Sequence, residues 1–247
     1  MRRPIWLNDD KEWGLPRISK IQELRDSFSS FCSAINHLYK NFFSRIALHR
    51  LTKKGELCIS LGSGKSVPIG WIGIDIYNRG TNVFYGDLRR PLNLPNQSVK
   101  AILAEHSLEH LFLDDVSRLL NECYRVLQSR GVIRIVSPDA RFLIRIINNP
   151  ADIEVQEQIL YDQEIHRTEI TPISHWIVAN RISHQWGDHK SLLSAPLLID
   201  LLCKAGFSNI VELKSDHTAY FEKIPGTHYE RFPGPDYESF AVEACRI

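Results

Sequence analysis

The chain has 247 residues, of which 43% are hydrophobic and 24% are charged, and its formal net charge is +1. This length can bury a substantial core, and the near-neutral balance excludes the strongly basic field of a general nucleic-acid binder. The chain shows no secretory signal and no apolar run of transmembrane length, and its five cysteines form no CxxC pair. We therefore expect a cytoplasmic protein with no nucleic-acid partner, no disulfide framework and no metal.

The N-terminal part carries apolar residues at helical spacing, namely Phe28, Phe31, Ile35, Leu38, Phe42 and Ile46. This spacing predicts a helical extension over residues 1–52 that caps the main domain. Because Lys40, Arg45 and Arg50 lie among these residues, peripheral membrane contact through residues 28–50 is an alternative.

From residue 57 onward, short apolar runs alternate with helical patterns. Strands are predicted at 57–61, 71–75, 82–85, 99–104, 132–136, 209–214 and 237–245. A helix is predicted from residue 116 to 127, capped by Asp114 or Asp115 and followed by Gly131, and another from 197 to 204. This alternation is typical of an α/β fold whose parallel sheet has helices on its faces.

The segment 140–195 is less regular, and we interpret it as an insertion, or lid, over the site. His184, Asp188, His189 and Lys190 lie close together in it. A solvated loop and a metal site are alternatives for this stretch, although its spacing matches no standard zinc pattern.

The stretch LCISLGSGKS, residues 57–66, raises the question of which ligand its glycines serve. A triphosphate loop would need a glycine where Ile59 stands. A dinucleotide loop would need its third glycine at Val67 and an acid further along the chain than Asp75. The sequence therefore disfavours both a triphosphate site and a dinucleotide site, and NAD binding is kept only as an alternative.

A nucleoside without a pyrophosphate fits the same residues better. Gly62 and Gly64 let the backbone approach a ligand closely. Asp75 can accept both hydroxyls of a ribose, and Asp87 can accept from the amine of adenine. All of them are predicted at carboxyl ends of parallel strands, where open sheets bind ligands. This set suits S-adenosyl-L-methionine.

At this point the sequence resembles the class I S-adenosylmethionine-dependent methyltransferases, nearest to the type 11 kind. The resemblance is carried by residues 61–64, by 73–75 and by the blocks YGDLRRPLNLPNQSVKAILAEHSLEHL, LLNECYRVLQSRGVIRIVSPD and LLIDLLCKAGFSNI. It covers roughly residues 55–215. It implies a methyltransferase domain over 53–247 with a Rossmann-like, doubly wound, mostly parallel seven-stranded sheet whose last strand is antiparallel.

Position by position, the resemblance implies a cofactor site made of Gly62, Gly64, Asp75, Ile76, Asp87, Leu88, Ala104 and Glu105. In that site Asp75 binds the ribose and Ile76 packs on the adenine. Asp87 and Leu88 contact the adenine edge and face, and Glu105 lies near the reacting sulfur. Glu109 and His110 match the family's Glu-His pair, for which the resemblance implies a partly structural role.

Three departures from the family pattern bear on the reaction. Ser60 replaces the family's acid before the first glycine, and the link from Gly62 to Trp71 has room only for a helical turn. The sequence Ala104-Glu105-His106-Ser107 stands in place of an Asp/Asn-Pro-Pro-aromatic motif, which argues against the amino-group methylation of bases or glutamine that this motif serves.

We therefore expect methylation of an oxygen atom on a small-molecule, sugar or glycolipid-type acceptor. His184 or His189 is the expected general base, because an imidazole titrates near neutral pH. A non-catalytic binding module and an NAD-dependent oxidoreductase are the alternatives from other classes.

Overall fold

The computed structural model describes six ranges of the chain: 39–40, 42–53, 55–77, 80–165, 174–226 and 236–247. Most of the predicted N-terminal extension, including the apolar positions 28–38, lies outside these ranges. Residues 43–247 form one compact unit. No helix in the described ranges is both long enough and apolar enough to span a membrane.

In the described part of the chain, one sheet contains seven strands: β1 (Leu57–Leu61), β2 (Ile72–Asp75), β3 (Val83–Tyr85), β4 (Val99–Glu105), β5 (Leu127–Pro138), β6 (Ser208–Lys214) and β7 (Ser239–Cys245). Their order is β3-β2-β1-β4-β5-β7-β6. Strand β7 is antiparallel to both of its neighbours, and the remaining pairs are parallel. The predicted sheet is therefore confirmed.

The helices that the structure describes are α1 (42–52), α2 (Leu113–Val126), α3 (Ala140–Asn148), α4 (Ile153–Ile165), α5 (His175–His184) and α6 (Ala195–Lys204). In α1, Leu48 is buried whereas Ile46 is exposed. The Ser44 hydroxyl accepts a hydrogen bond from the backbone N–H of Tyr85 at 2.9 Å. Helix α1 therefore packs on the end of β3 through a face that the predicted stripe does not include.

The predicted N-cap of α2 is wrong. The helix begins at Leu113 with Phe112 as its N-cap, and no side chain caps it. Asp115 is paired with Arg118, so it is not free to cap the helix. At the other end α2 passes at Leu127 directly into β5, which contains Gly131.

The segment 140–195 is more regular than the sequence suggests, because α3, α4 and α5 occupy most of its described part. Their buried apolar residues form a second core of their own: Phe142, Ile146, Val155, Ile159, Val178, Ala179 and Ile182. The described part of the segment that is expected to form a lid is therefore a packed helical layer.

The sheet order places a topological switch point between β1 and β4. Chain order runs outward from β1 through β2 to β3, and then returns to β4 on the other side of β1. Open α/β sheets bind ligands at the carboxyl ends of the strands at such a point. The link between β1 and β2 forms only turns, with no helix, as its length predicts.

Free thiols are found at the four cysteines within the described ranges, but their environments differ. Cys123 is buried and Cys203 is exposed, while Cys58 and Cys245 are half-buried. Burial raises the pKa of the Cys123 thiol, which keeps it protonated.

Candidate functional site

The loop after β1 is held against the end of β2 by backbone hydrogen bonds. The N–H of Gly62 donates to the carbonyl of Ile74 at 2.9 Å. Gly62 and Gly64 have φ values of +63° and +60°, a region that side chains disfavour. An added Cβ at Gly64 would meet no atom within 4 Å. The backbone at Gly64 therefore borders open space that a ligand can enter.

Asp75, the last residue of β2, is buried with 7% exposure and faces this loop. Its Oδ2 accepts from the backbone N–H of Gly64 at 2.9 Å, and its Oδ1 accepts from that of Tyr77 at 2.7 Å. A carboxylate oxygen has two lone pairs, so each oxygen can still accept a second hydrogen bond. The structure thus brings Gly62, Gly64 and Asp75 together, with acceptor capacity left for a pair of hydroxyls.

The neighbouring acid, Asp87, lies beyond the end of β3 and is engaged by arginine. The Arg89 side chain donates to both of its oxygens, at 2.9 and 2.8 Å, and the Arg89 N–H donates to Oδ1 at 3.0 Å. The hydrogen bond from the Arg89 side chain holds the pKa of Asp87 below its usual range. Leu88 packs against the main core, whereas Ile76 is 37% exposed.

At the end of β4, Ala104 is buried in the main core, so any contact it makes with a ligand would come from its backbone. Glu105 is half-buried and packs close to Gly226, where an added Cβ would lie 2.3 Å from Glu105 Oε1. The chain then turns sharply, with His106 at φ +48°. This turn directs residues 106–110 across the carboxyl edge of the sheet.

An ion pair between the half-buried His106 and the buried Glu109 follows this turn. His106 Nδ1 lies 3.4 Å from Glu109 Oε1, and the Ser137 hydroxyl, at the end of β5, donates to Glu109 Oε2 at 3.2 Å. Burial opposes the charged form of His106, but the hydrogen bond and charge of Glu109 outweigh it and raise the pKa of His106 to about 9. Burial also opposes the Glu109 carboxylate, but the same pairing lowers its pKa.

His189 lies beside this turn because backbone hydrogen bonds fasten its segment there. The N–H groups of Lys190 and Ser191 both donate to the carbonyl of Glu109, at 2.8 and 3.1 Å. The His189 Nδ1 donates to the carbonyl of Ile182 at 2.8 Å, and burial lowers the pKa of the ring. His189 therefore reaches the strand-end turn from the lid side.

The other histidines are placed differently. His110 packs its ring against that of His189, with the ring centroids 5.1 Å apart. Its Nδ1 lies 3.2 Å from the carbonyl oxygen of Asp188. His184, at the end of α5, is exposed. Of the two predicted bases, His189 is the one that the structure brings into the buried cluster.

Sequence reasoning missed two features of this site. Ser107 lies directly against Gly62, and Glu109 pairs with His106 while supporting the His189 segment. The pairing of His106 with Glu109 was open to detection, because residues three apart on a helical turn are neighbours. The predicted parallel sheet places the ends of β1 and β4 at the same edge, but it does not identify Ser107 as the residue that contacts Gly62.

Residues 75–135, from the end of β2 into β5, match the family described as "Methyltransferase domain". No curated protein matches the chain at a significant level.

Solved structures of similar topology include an S-adenosylmethionine-dependent methyltransferase from Thermotoga maritima. It is 16% identical in sequence, the match covers 89% of this chain and 96% of that one, and the TM-score is 0.43. A second, from Archaeoglobus fulgidus, has 19% identity, coverages of 84% and 93%, and a TM-score of 0.46. A third, from Mesorhizobium loti, has 19% identity, coverages of 78% and 91%, and a TM-score of 0.41. At these sequence identities and TM-scores, the structural similarity gives no information about the acceptor molecule.

Proposed function

We propose that this chain, a methyltransferase of the class I, S-adenosylmethionine-dependent type, methylates an oxygen atom of a small-molecule, sugar or glycolipid-type acceptor. The enzyme class rests on the sheet order and on the methyltransferase-domain match over residues 75–135. The methylated atom and the residue roles are our proposal.

The observation that carries the proposal is the buried carboxylate of Asp75 beside the glycine loop. Its oxygens keep lone pairs for the two ribose hydroxyls, and the space next to Gly64 is open. These residues therefore fit an adenosine. S-adenosylmethionine supplies a methyl group on a sulfonium sulfur, and the protein's task is to align the acceptor with it.

The rest of the proposed cofactor site follows the same edge of the sheet. Ile76, which is 37% exposed, offers an apolar surface to the adenine. Leu88 lines the adenine pocket, and Asp87 accepts from the amine through a lone pair that Arg89 does not use. Glu105 and the backbone of Ala104 lie next to the methionine part.

The acceptor is proposed to bind where the turn after β4 meets the His189 segment. A hydroxyl needs to lose its proton at or before attack on the methyl group. His189 donates from Nδ1 to a carbonyl, so Nε2 bears the lone pair that can take this proton. His184 is the alternative base. Membrane contact through residues 28–50, which would suit a lipid-linked acceptor, stays a prediction.

Calorimetry with S-adenosylmethionine and S-adenosylhomocysteine tests the cofactor site. We expect saturable binding by the wild type and a roughly 10–100-fold higher Kd for Asp75→Asn, since a hydrogen bond to a charged group contributes about 1.5–3 kcal/mol. The exposed Asp216 provides a control, and Asp216→Asn should bind like the wild type. NAD binding alone would favour an oxidoreductase, and no nucleoside binding would favour a non-catalytic module.

The acceptor atom is tested with isotopically labelled cofactor against paired acceptors that differ only in bearing a hydroxyl or an amine. Label that enters the hydroxyl partner alone supports the proposal. Transfer to the amine partner alone would contradict it. Full activity of both His184→Ala and His189→Ala on such an acceptor would remove the assignment of the base.

A further inference from the structure

We propose that Glu109, His110 and His189 form a binding site for one divalent transition-metal ion, with Zn²⁺ as the first candidate. One ligand atom from each of the three residues lies within 4.8 Å of the other two. Two imidazoles and a carboxylate are a common donor set for such ions. The inference goes beyond methyl transfer and depends on neither the cofactor nor the acceptor.

The first support is the orientation of the two imidazole rings. Nδ1 of His189 lies 2.8 Å from the Ile182 carbonyl oxygen, and Nδ1 of His110 lies 3.2 Å from that of Asp188. Because a carbonyl oxygen only accepts, the hydrogen of each neutral ring is on Nδ1 and the lone pair is on Nε2. Metal-binding histidines are typically anchored in this way, through the other ring nitrogen.

The second support is an unpaired polar atom. His189 is only 8% exposed, and its Nε2 has no hydrogen-bond partner among the described residues. Buried polar atoms of folded proteins nearly always have a partner, because leaving one unpaired costs about 1–3 kcal/mol. A metal ion between His189 and His110 would supply that partner.

The third support is the buried carboxylate of Glu109, which is 2% exposed. Ser137 and His106 each use one of its lone-pair positions. The backbone N–H of Glu109 uses a third position, and a carboxylate offers about four, so one is left for an ion. The Ser137 hydroxyl would then act as an outer partner that fixes the carboxylate's orientation.

The spacing requires only a small closure of the three groups. Two atoms bound to one tetrahedral Zn²⁺ through bonds of about 2.1 Å lie about 3.4 Å apart. Ligand atoms that are up to 4.8 Å apart must therefore approach one another by up to roughly 1.4 Å. The hydrogen bonds from Lys190 and Ser191 to the Glu109 carbonyl hold the two parts of the site together while the side chains adjust.

Three protein ligands leave a coordination position open for an outside oxygen atom. On the proposed function, and only on it, that oxygen would belong to the acceptor. His189 would then assist loss of the hydroxyl proton as a metal ligand and not as the base, because coordination makes a hydroxyl more acidic.

The test is a titration of the full chain, first freed of metal with EDTA, with Co²⁺ as the probe and its visible d–d absorption as the signal. We expect one saturable Co²⁺ per chain. His110→Ala and His189→Ala should each weaken binding by more than the roughly 10–100-fold expected for losing an outer partner, which is the effect predicted for Ser137→Ala. His217→Ala, which removes an exposed histidine outside the cluster, should bind like the wild type.

Two results would overturn the metal site. One is the lack of saturable Co²⁺ or Zn²⁺ binding by the wild type. The other is an unchanged affinity for Co²⁺ in His110→Ala. The His110 ring of the wild type lies near the surface, so this variant should fold even if His189→Ala does not. Because the titration uses neither cofactor nor acceptor, its failure leaves the proposed function standing, and failed cofactor binding leaves the metal site standing.

Discussion

Gly62 and Ser107 lie so close together that a side chain at Gly62 cannot fit: an added Cβ would stand 2.4 Å from Ser107 Cβ. The contact joins the loop after β1 to the turn after β4. These are the two strands that flank the switch point of the sheet. The proposed cofactor side and the proposed acceptor side therefore meet at this pair of residues.

Gly62→Ala should lower the free energy of unfolding by more than Gly70→Ala does. Both glycines have positive φ, which costs about 1–2 kcal/mol for a residue with a side chain. An added Cβ at Gly70 meets no atom within 4 Å, whereas the clash at Gly62 adds roughly 1–3 kcal/mol. Urea unfolding measures the difference. Adding Ser107→Gly should recover part of the loss in Gly62→Ala, and equal losses at the two glycines would contradict the contact.

The buried Arg134–Glu243 pair should be essential to stability. Both side chains have no exposed surface, and Arg134 also donates to the carbonyls of Ser215 and His217. Glu243→Gln leaves the arginine charge buried without its counter-charge, which typically costs about 3–5 kcal/mol. The measurement is again the free energy of unfolding in urea.

The control for this pair is Glu222→Gln, at an exposed acid, which should unfold like the wild type. The double variant Arg134→Met/Glu243→Gln should recover part of the loss because it removes the buried charge. If Glu243→Gln were as stable as the wild type, the pair would not contribute as proposed.

The clamp formed by Glu122 and Arg125 predicts a pH-dependent stability. Arg125 donates to both oxygens of Glu122 and to the carbonyls of Leu92 and Leu94, while Glu122 accepts from the Leu92 N–H. The hydrogen bond from Arg125 lowers the pKa of Glu122 in the folded state. A depressed acid pKa adds stability above the unfolded value, and this contribution is lost as the pH falls through the folded pKa.

Glu122→Gln should therefore be less stable than the wild type by roughly 1 kcal/mol at neutral pH, and the difference should shrink below about pH 4. Urea unfolding as a function of pH measures this change. Glu56→Gln, at an acid that is 81% exposed, should show little effect at either pH. A constant difference across the pH range would contradict the assignment.

The sheet was predictable because its strands are short apolar runs bounded by glycines and acids, and because parallel strands place their carboxyl ends together. The bond between Gly64 and Asp75 follows from that placement. The helices of the segment 140–195 were less predictable. In α4 the apolar residues Ile153 and Leu160 are exposed while Val155 and Ile159 are buried, so no single stripe marks the helix.

Contacts between residues that are far apart along the chain could not be predicted from the sequence. An arginine in the strand at 134 suggests an acidic partner, but only the antiparallel register of β5 and β7 identifies it as Glu243. In the same way, the histidines of residues 184–189 match no ligand spacing by themselves. Glu109 and His110 join His189 only because the chain folds back to the carbonyl of Glu109.

The N–H groups of Lys190 and Ser191 bond the segment after His189 to the Glu109 carbonyl, at the end of the sheet. This attachment is separate from the packing among the helices of the segment 140–195. Helices α3, α4 and α5 have a small core of their own, so substitutions among them can reshape the room offered to an acceptor. The backbone at Lys190 and Ser191 would keep its position through such changes, because it is bonded to the Glu109 carbonyl, whereas the His189 ring also depends on the Ile182 carbonyl in α5. Under the proposed function, the space for the acceptor can therefore change in these three helices while the chain after His189 stays bonded to the end of the sheet.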